Sequence, residues 1–179
     1  EVDALGEEVW GTTGGRVGVH SAAESLFLRG HAPAQGDLAI VDRPVLDQMP
    51  YARAVMAMLQ APPLRCLLAR LPAGRTIAAH VDRAPYFSKS VRIHVPVMTH
   101  ERVVMFCAGL SYRMRAGEVW ALNNSTHHGV WNADPLQSRT HMICDFTLTP
   151  ALAAMLAAGE RLLGASDPEV QGHLAYHPA

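Results

Sequence analysis

Residues 91–122 read VRIHVPVMTHERVVMFCAGLSYRMRAGEVWAL: short runs of Val, Ile, Met and aromatic residues, with Gly109 and Gly117 among the punctuating positions. Such runs, interrupted at intervals of roughly ten residues, predict an antiparallel sandwich or barrel. In the first run Val91, Ile93, Val95 and Val97 alternate with Arg92, His94 and Pro96, giving one apolar and one polar face. The same pattern extends outward from Leu64 to Leu148. It predicts strands at Leu64–Leu71, Ile77–Val81, Val91–Val97, Val103–Cys107, Ser111–Met114, Val119–Leu122, Gly129–Trp131 and Thr140–Leu148. The fold class is therefore mainly β, and eight strands fit a double-sheet jelly roll.

Around this core the sequence changes character. Residues 1–36 are rich in Gly, Ala and Ser, with strand-like stretches only at Arg16–His20 and Ser25–Arg29, which predicts a peripheral, partly irregular layer. Val55, Met58 and Leu59 lie at helical spacing between Pro50 and Gln60, and Pro62-Pro63 ends that helix. A second helix is expected from Pro150, capped by Thr149, through Leu152, Met155, Leu156 and Leu163 to Gly164. The tail from Ala165 to Ala179 shows no periodicity and reads as coil. One domain over 1–179 is expected: an N-terminal flanking layer and helix at 1–63, the jelly-roll core at 64–148, and a C-terminal helix and tail at 149–179.

Composition excludes several function classes. The 179 residues hold 15 basic and 16 acidic side chains, so no strong field attracts nucleic acid or an anionic membrane. The apolar run Ala151–Ala158 is far shorter than the ~20 residues that span a bilayer. The chain opens at Glu1 without a basic-then-apolar leader, as expected of a mature or trimmed product. Cys66, Cys107 and Cys144 sit in apolar runs without CxxC spacing, which predicts free core thiols and a cytoplasmic location. Ten histidines are the first functional signal.

His80-Val81-Asp82 places two metal-binding side chains on one face of an extended segment. A third ligand must come from a distant strand, and His127-His128 follows the Asn123-Asn124 turn. Two histidines and one carboxylate with open positions is the facial arrangement of non-haem Fe(II) oxygenases. Arg92 and His94 point the same way, and inside a barrel an uncompensated guanidinium calls for an anionic ligand. Arg139, at the start of the last expected strand, is suited to grip a carboxylate through its bidentate fork.

Taken together, His80-x-Asp82, Arg92-x-His94-x-Pro96, Gly117-Glu118-Val119-Trp120, His128-x-Val130-Trp131-Asn132 and Arg139-x-His141 with Asp145 resemble the aspartyl/asparaginyl β-hydroxylases, and the bacterial proline hydroxylases that share the pattern. The resemblance spans roughly Leu71 to Phe146. It implies a double-stranded β-helix and an Fe(II)- and 2-oxoglutarate-dependent dioxygenase acting with molecular oxygen. It also implies iron ligation by His80 and His128, a grip by Arg139 on the distal carboxylate of 2-oxoglutarate, and contact of Arg92 and His94 with a cosubstrate or substrate carboxylate. Asp82 stands where the animal enzymes lack a carboxylate ligand, so a complete facial triad is expected. The HxVWN pattern selects His128 over His127 as the third ligand.

The substrate expected is a small molecule, an amino acid, an amino-acid residue or a related carboxylate. The competing readings are a cupin-type metal-dependent isomerase or lyase and a non-enzymatic metal or ligand sensor. His20, His31, His100, His173 and His177 have no matched partner in the sequence, and Trp120 and Trp131 read as core.

Overall fold

A computed structural model of the chain describes residues 1–11, 18–32, 39–161 and 164–176. Nine strands form: β1 (Glu24–Arg29), β2 (Pro63–Leu71), β3 (Thr76–His80), β4 (Val91–Met98), β5 (Val103–Cys107), β6 (Leu110–Tyr112), β7 (Trp120–Leu122), β8 (His128–Asn132) and β9 (Arg139–Phe146). Two antiparallel sheets result, ordered β1-β2-β9-β4-β7 and β3-β8-β5-β6. From β2 onward the chain passes back and forth between the two sheets, and this winding is the jelly roll that the strand spacing predicts.

Each sheet has an outer and an inner face. On the outer face of the larger sheet Ile93, Met142, Cys144 and Phe146 pack with Ala52 and Met56 of α1 (Pro50–Met58) and Leu152 of α2 (Pro150–Ala158). Between the sheets, Leu71, Ile77, Val103, Met105, Leu122 and Val130 fill one part of the interior. Phe106 on the outside of the smaller sheet is covered by Val170 and Leu174. The alternation of β4 is thereby resolved: Val91, Ile93 and Val95 face the helices, and Arg92 and His94 face the interior.

Several sequence expectations shift. Ser25–Arg29 is not peripheral but joins the larger sheet as an edge strand, with Glu24 opposite Arg70. Gly18–His20 forms a turn, and Arg16 and Val17 lie outside the described residues. The first helix ends at Met58, since Gln60 adopts a left-handed backbone (φ 50°). The second keeps its Thr149 cap, whose hydroxyl accepts from Leu152 N at 3.2 Å, but it stops at Ala158 rather than Gly164, and Leu163 lies outside the described residues. His177, in the far tail, also lies outside them. The tail expected as coil holds α3 (Pro168–His173). Its signal was local: Asp167 accepts from Glu169 N and Val170 N, and Pro168 occupies the first turn.

The expectation of three free thiols is also corrected. Cys66 and Cys144 are directly opposed in the β2–β9 register, with Cα atoms 4.1 Å apart, and form a disulfide; Cys107 is free. Residues opposite one another on adjacent strands approach within bonding reach whatever their separation in sequence. The cysteines thus give no argument for a reducing compartment. No helix among the described residues is long and apolar enough to cross a membrane.

Candidate metal and carboxylate site

The unfilled part of the interior is a cavity of about 640 Å³, lined in part by His80, Asp82, Arg92, His94, His128 and Arg139. These are the residues that the sequence singled out; five come from β3, β4, β8 and β9, and Asp82 lies just beyond the end of β3.

His80 ends β3 and His128 begins β8, and the two are directly paired across the strands. That pairing depends on an irregularity. Ile77 pairs with Val130, yet His80 pairs with His128, so β3 spends three residues where β8 spends two. The extra residue is a bulge, and it turns His80 inward although Ile77 also faces the interior. Gly129 makes room for it, since a Cβ there would lie 2.8 Å from the Ile77 carbonyl oxygen.

Both imidazoles are oriented by the backbone. His80 Nδ1 lies 2.7 Å from the Ala78 carbonyl and His128 Nδ1 lies 3.0 Å from the Thr126 carbonyl. A carbonyl can only accept, so each ring carries a proton on Nδ1 and turns Nε2 toward Asp82. The Asp82 carboxylate lies 3.9 Å from each Nε2. One ligand atom from each of His80, Asp82 and His128 lies within 4.8 Å of the others. Burial, and then the neighbouring His80, push His128 down to about 4, so it is neutral and able to ligate at neutral pH. Burial opposes ionisation of Asp82, but Arg92 and the Asn124 amide outweigh it and hold the carboxyl below its usual range. Two imidazoles, that of His128 neutral, and an ionised carboxylate on one wall fit a divalent ion such as Fe(II). His127 points elsewhere: its ring packs on Tyr176, with centroids 5.6 Å apart.

Arg92 is not waiting for an anion. Its Nε and Nη2 donate to Asp145 at 2.8 and 3.1 Å, and its Nη1 donates to Asp82 at 2.7 Å. Tyr86 also donates to Asp145, at 3.2 Å, and Asn124 donates to Asp82, at 3.1 Å. Arg92 therefore fixes the carboxylate of the metal trio, and the anionic compensation it needs comes from within the chain.

Arg139 is the opposite case. It is 2% exposed, and its only hydrogen-bond contacts among the described residues are to His141 Nδ1 (2.8 Å) and Met105 Sδ (3.7 Å). Its Nε meets no acceptor, and no carboxylate faces it among the described residues. Burial pushes its guanidinium down to about 9. Because Arg139 donates to His141 Nδ1, that imidazole is held neutral, with its proton on Nε2. Burial, followed by the Arg139 charge, drives both His141 and His94 well below the ordinary histidine value, and their Nδ1 atoms lie 3.5 Å apart. A buried cation bordered by neutral groups fits the carboxylate of a ligand such as 2-oxoglutarate.

Several residues of this cavity had no part in the sequence reading. His20 packs edge-on against His80, with ring centroids 4.7 Å apart, although its turn gave no hint of a partner. Arg65 lines the cavity from β2, 8% exposed. Its position could have been read, since Arg65, Leu67 and Ala69 alternate with the apolar Cys66 and Leu68. His173, given no role, stacks on Trp131 at 3.7 Å outside the cavity.

A profile of the family described as Aspartyl/Asparaginyl beta-hydroxylase matches residues 42–148. The chain belongs to the aspartyl/asparaginyl β-hydroxylase family. The matched span of this β-hydroxylase-family chain carries every one of the cavity residues from Arg65 to Ile143. No curated protein matches its sequence. Among solved structures it is similar to an oxidoreductase of the 2OG-Fe(II) oxygenase family from Burkholderia pseudomallei, at 13% identity and a TM-score of 0.51, over 70% of this chain and 66% of that one. It also resembles a cupin domain of Cnp3 from Schizosaccharomyces pombe, at 8% identity and a TM-score of 0.44 over 70% and 61% of the two chains. A predicted oxalate decarboxylase from Thermotoga maritima matches at 13% identity and a TM-score of 0.42, over 70% and 81%. At these identities the first likeness supports the fold of the β-hydroxylase-family chain, and the other two add no argument.

Proposed function

We propose that the protein is an Fe(II)- and 2-oxoglutarate-dependent dioxygenase that hydroxylates an unactivated carbon of an amino acid, an amino-acid residue or a related small carboxylate. The observation that carries this reading is Arg139: a fully buried guanidinium without a carboxylate partner among the described residues, in the same cavity as His80, Asp82 and His128. A metal trio alone is equally at home in a cupin isomerase or a sensor. A dry, uncompensated cation beside it needs an anionic ligand, and 2-oxoglutarate supplies a carboxylate at the right end of a chelating molecule.

In this reading His80, Asp82 and His128 hold the iron, which when bound with 2-oxoglutarate and molecular oxygen supplies the oxidising power for C–H hydroxylation. The chain's own work is positional. Arg92 and Asn124 fix the Asp82 carboxylate, and the Ala78 and Thr126 carbonyls fix the imidazole tautomers. Arg139 anchors the distal carboxylate of the cosubstrate, and His141 holds the guanidinium in place while remaining uncharged. Leu122, Val130 and Ile143 give the cavity an apolar wall, beside which each of these contacts is stronger than in bulk water.

Anaerobic addition of Fe(II) and then 2-oxoglutarate to the purified protein should give a visible charge-transfer band, and admitting oxygen should yield succinate. A protein that binds Fe(II) through the trio but shows neither the band nor succinate is not a 2-oxoglutarate oxygenase, and the cupin-type reading takes its place.

A further inference from the structure

We propose that Arg65 is the substrate-recognition residue of this cavity and that it selects a monoanionic substrate by its carboxylate. The inference rests on the assignment of the metal trio and Arg139 made above. Arg65 projects from β2, in the same period-two set as Leu67 and Ala69, and all three line the cavity. Its guanidinium lies 5.6 Å from the Tyr86 ring centroid and 5.9 Å from that of Phe87, which holds its plane while leaving donor edges available. Its Nε is buried without a hydrogen bond and faces Asp145 Oδ2 at 3.6 Å, which leaves the outer, Nη edge of the guanidinium for the cavity.

The nearest carboxylate does not satisfy it. Asp145 lies 3.6 Å away, beyond a charge-assisted hydrogen bond, and already accepts two bonds from Arg92 and one from Tyr86. Burial lowers the Arg65 guanidinium from its ordinary value more than Asp145 restores it. A residue serving only as a counter-ion for Asp145 would be drawn into contact with it. Arg65 instead stands off from it, at 3.6 Å.

The charge of the whole cavity points the same way. Arg65, Arg92 and Arg139 are the cations at its wall, Asp82 is the anion at its wall, and Asp145 lies behind Arg65 and Arg92; Glu24, also at the wall, is taken by Arg70, and Arg83 is exposed and screened by water. A divalent ion adds two positive charges and 2-oxoglutarate removes two, leaving a single positive charge. No side chain at the wall matches that charge among the described residues, and with Arg92 bonded to two carboxylates and Arg139 to the cosubstrate, Arg65 is the buried cation there that makes no hydrogen bond to a carboxylate. A ligand with one carboxylate neutralises it, and Leu67, Ala69 and Ile143 offer the remainder of that ligand an apolar wall.

The test uses Mn(II)-loaded protein saturated with N-oxalylglycine, a non-reacting stand-in for 2-oxoglutarate that fills the Arg139 site. Calorimetric titration with 4-methylpentanoate and with its neutral amide then reads recognition of the charge alone. Wild type should bind the acid at least tenfold more tightly than the amide. Arg65→Gln should lose at least tenfold on the acid with no change on the amide, and Arg65→Lys should fall between, because it keeps the charge but lacks the fork. Circular-dichroism melting of each variant accompanies the titration, and Arg65→Lys carries the comparison if Arg65→Gln does not fold. Equal affinity of wild type for acid and amide, or an unchanged preference in the variants, overturns the proposal. Failure of N-oxalylglycine to bind wild type instead removes the oxygenase reading, and this inference with it.

Discussion

Arg92 and Arg139 stand on adjacent strands of one sheet and enter the same cavity, yet they are in opposite electrostatic states. Arg92 meets two carboxylates; burial alone would disfavour its charge, but Asp145 and Asp82 outweigh burial and raise its guanidinium above the ordinary value. Arg139 meets an imidazole and a thioether, and burial drives it down to about 9. A cation whose compensation lies within the chain belongs to the scaffold, whereas one whose compensation is missing marks the place of a ligand. Residue type and strand alternation gave both arginines the same expected role, and the partner carboxylates separate them.

The largest effect should come from Arg139. Arg139→Met leaves a cosubstrate carboxylate desolvated and unpaired, a loss of about 3–5 kcal/mol, or roughly a hundredfold to a few thousandfold in 2-oxoglutarate affinity. The same change removes a buried, unpaired charge, so thermal unfolding without ligand should occur at a higher temperature than in wild type. A variant with unchanged 2-oxoglutarate dependence of succinate release would end the distinction drawn here.

Arg92→Met should do the reverse to the fold. It strands Asp145, 1% exposed, beside Asp82, and should destabilise the protein by about 3 kcal/mol in denaturant unfolding. Converting Asp145 to Leu in the same chain should recover part of that loss. Stability indistinguishable from wild type would show that Arg92 is as dispensable to the scaffold as Arg139.

Asp82 links the two regions, because Arg92 grips the carboxylate of the metal trio. Asp82→Ala should weaken Fe(II) binding by at least tenfold, about 1.4 kcal/mol, while His80→Ala or His128→Ala removes stoichiometric metal. Wild-type iron affinity in Asp82→Ala would place that carboxylate outside the metal site.

The finest discrimination is a pH dependence. His94 and His141 take up protons in the unfolded chain as pH falls through about 6.5, but burial and the Arg139 charge keep them neutral in the folded protein. The unfolded state therefore binds more protons, and the metal-free protein should lose stability as pH drops from 7 to 5. In Arg139→Met the opposing cation is gone, so the slope should be shallower. Parallel slopes would mean that burial alone sets both histidines.

Much of this was legible in the chain. Period-two alternation located the strands, and the spacing of His80, Asp82 and His128 indicated a set of side chains that the fold draws within 4.8 Å. Pairing across strands was not legible. Nothing local in Cys66 announces Cys144, 78 residues away, and nothing in Arg92 announces Asp145, because both contacts are set by register between β2, β4 and β9. The tail was a different failure. Asp167-Pro168 is a local helix start, overlooked because the six-residue helix it opens is too short to display periodicity.

The bulge in β3 gives the molecule a reading frame. Ile77 plugs the interior and His80 serves the cavity wall, and the bulge absorbs the odd residue between them so that both face inward. Loss of Ala78 alone would return the segment to a regular two-residue spacing with both side chains still inward, but it would take away the carbonyl against which the His80 ring is set. The count of residues in β3 thus decides where that acceptor stands, and so how the imidazole is turned, and not which way Ile77 and His80 face.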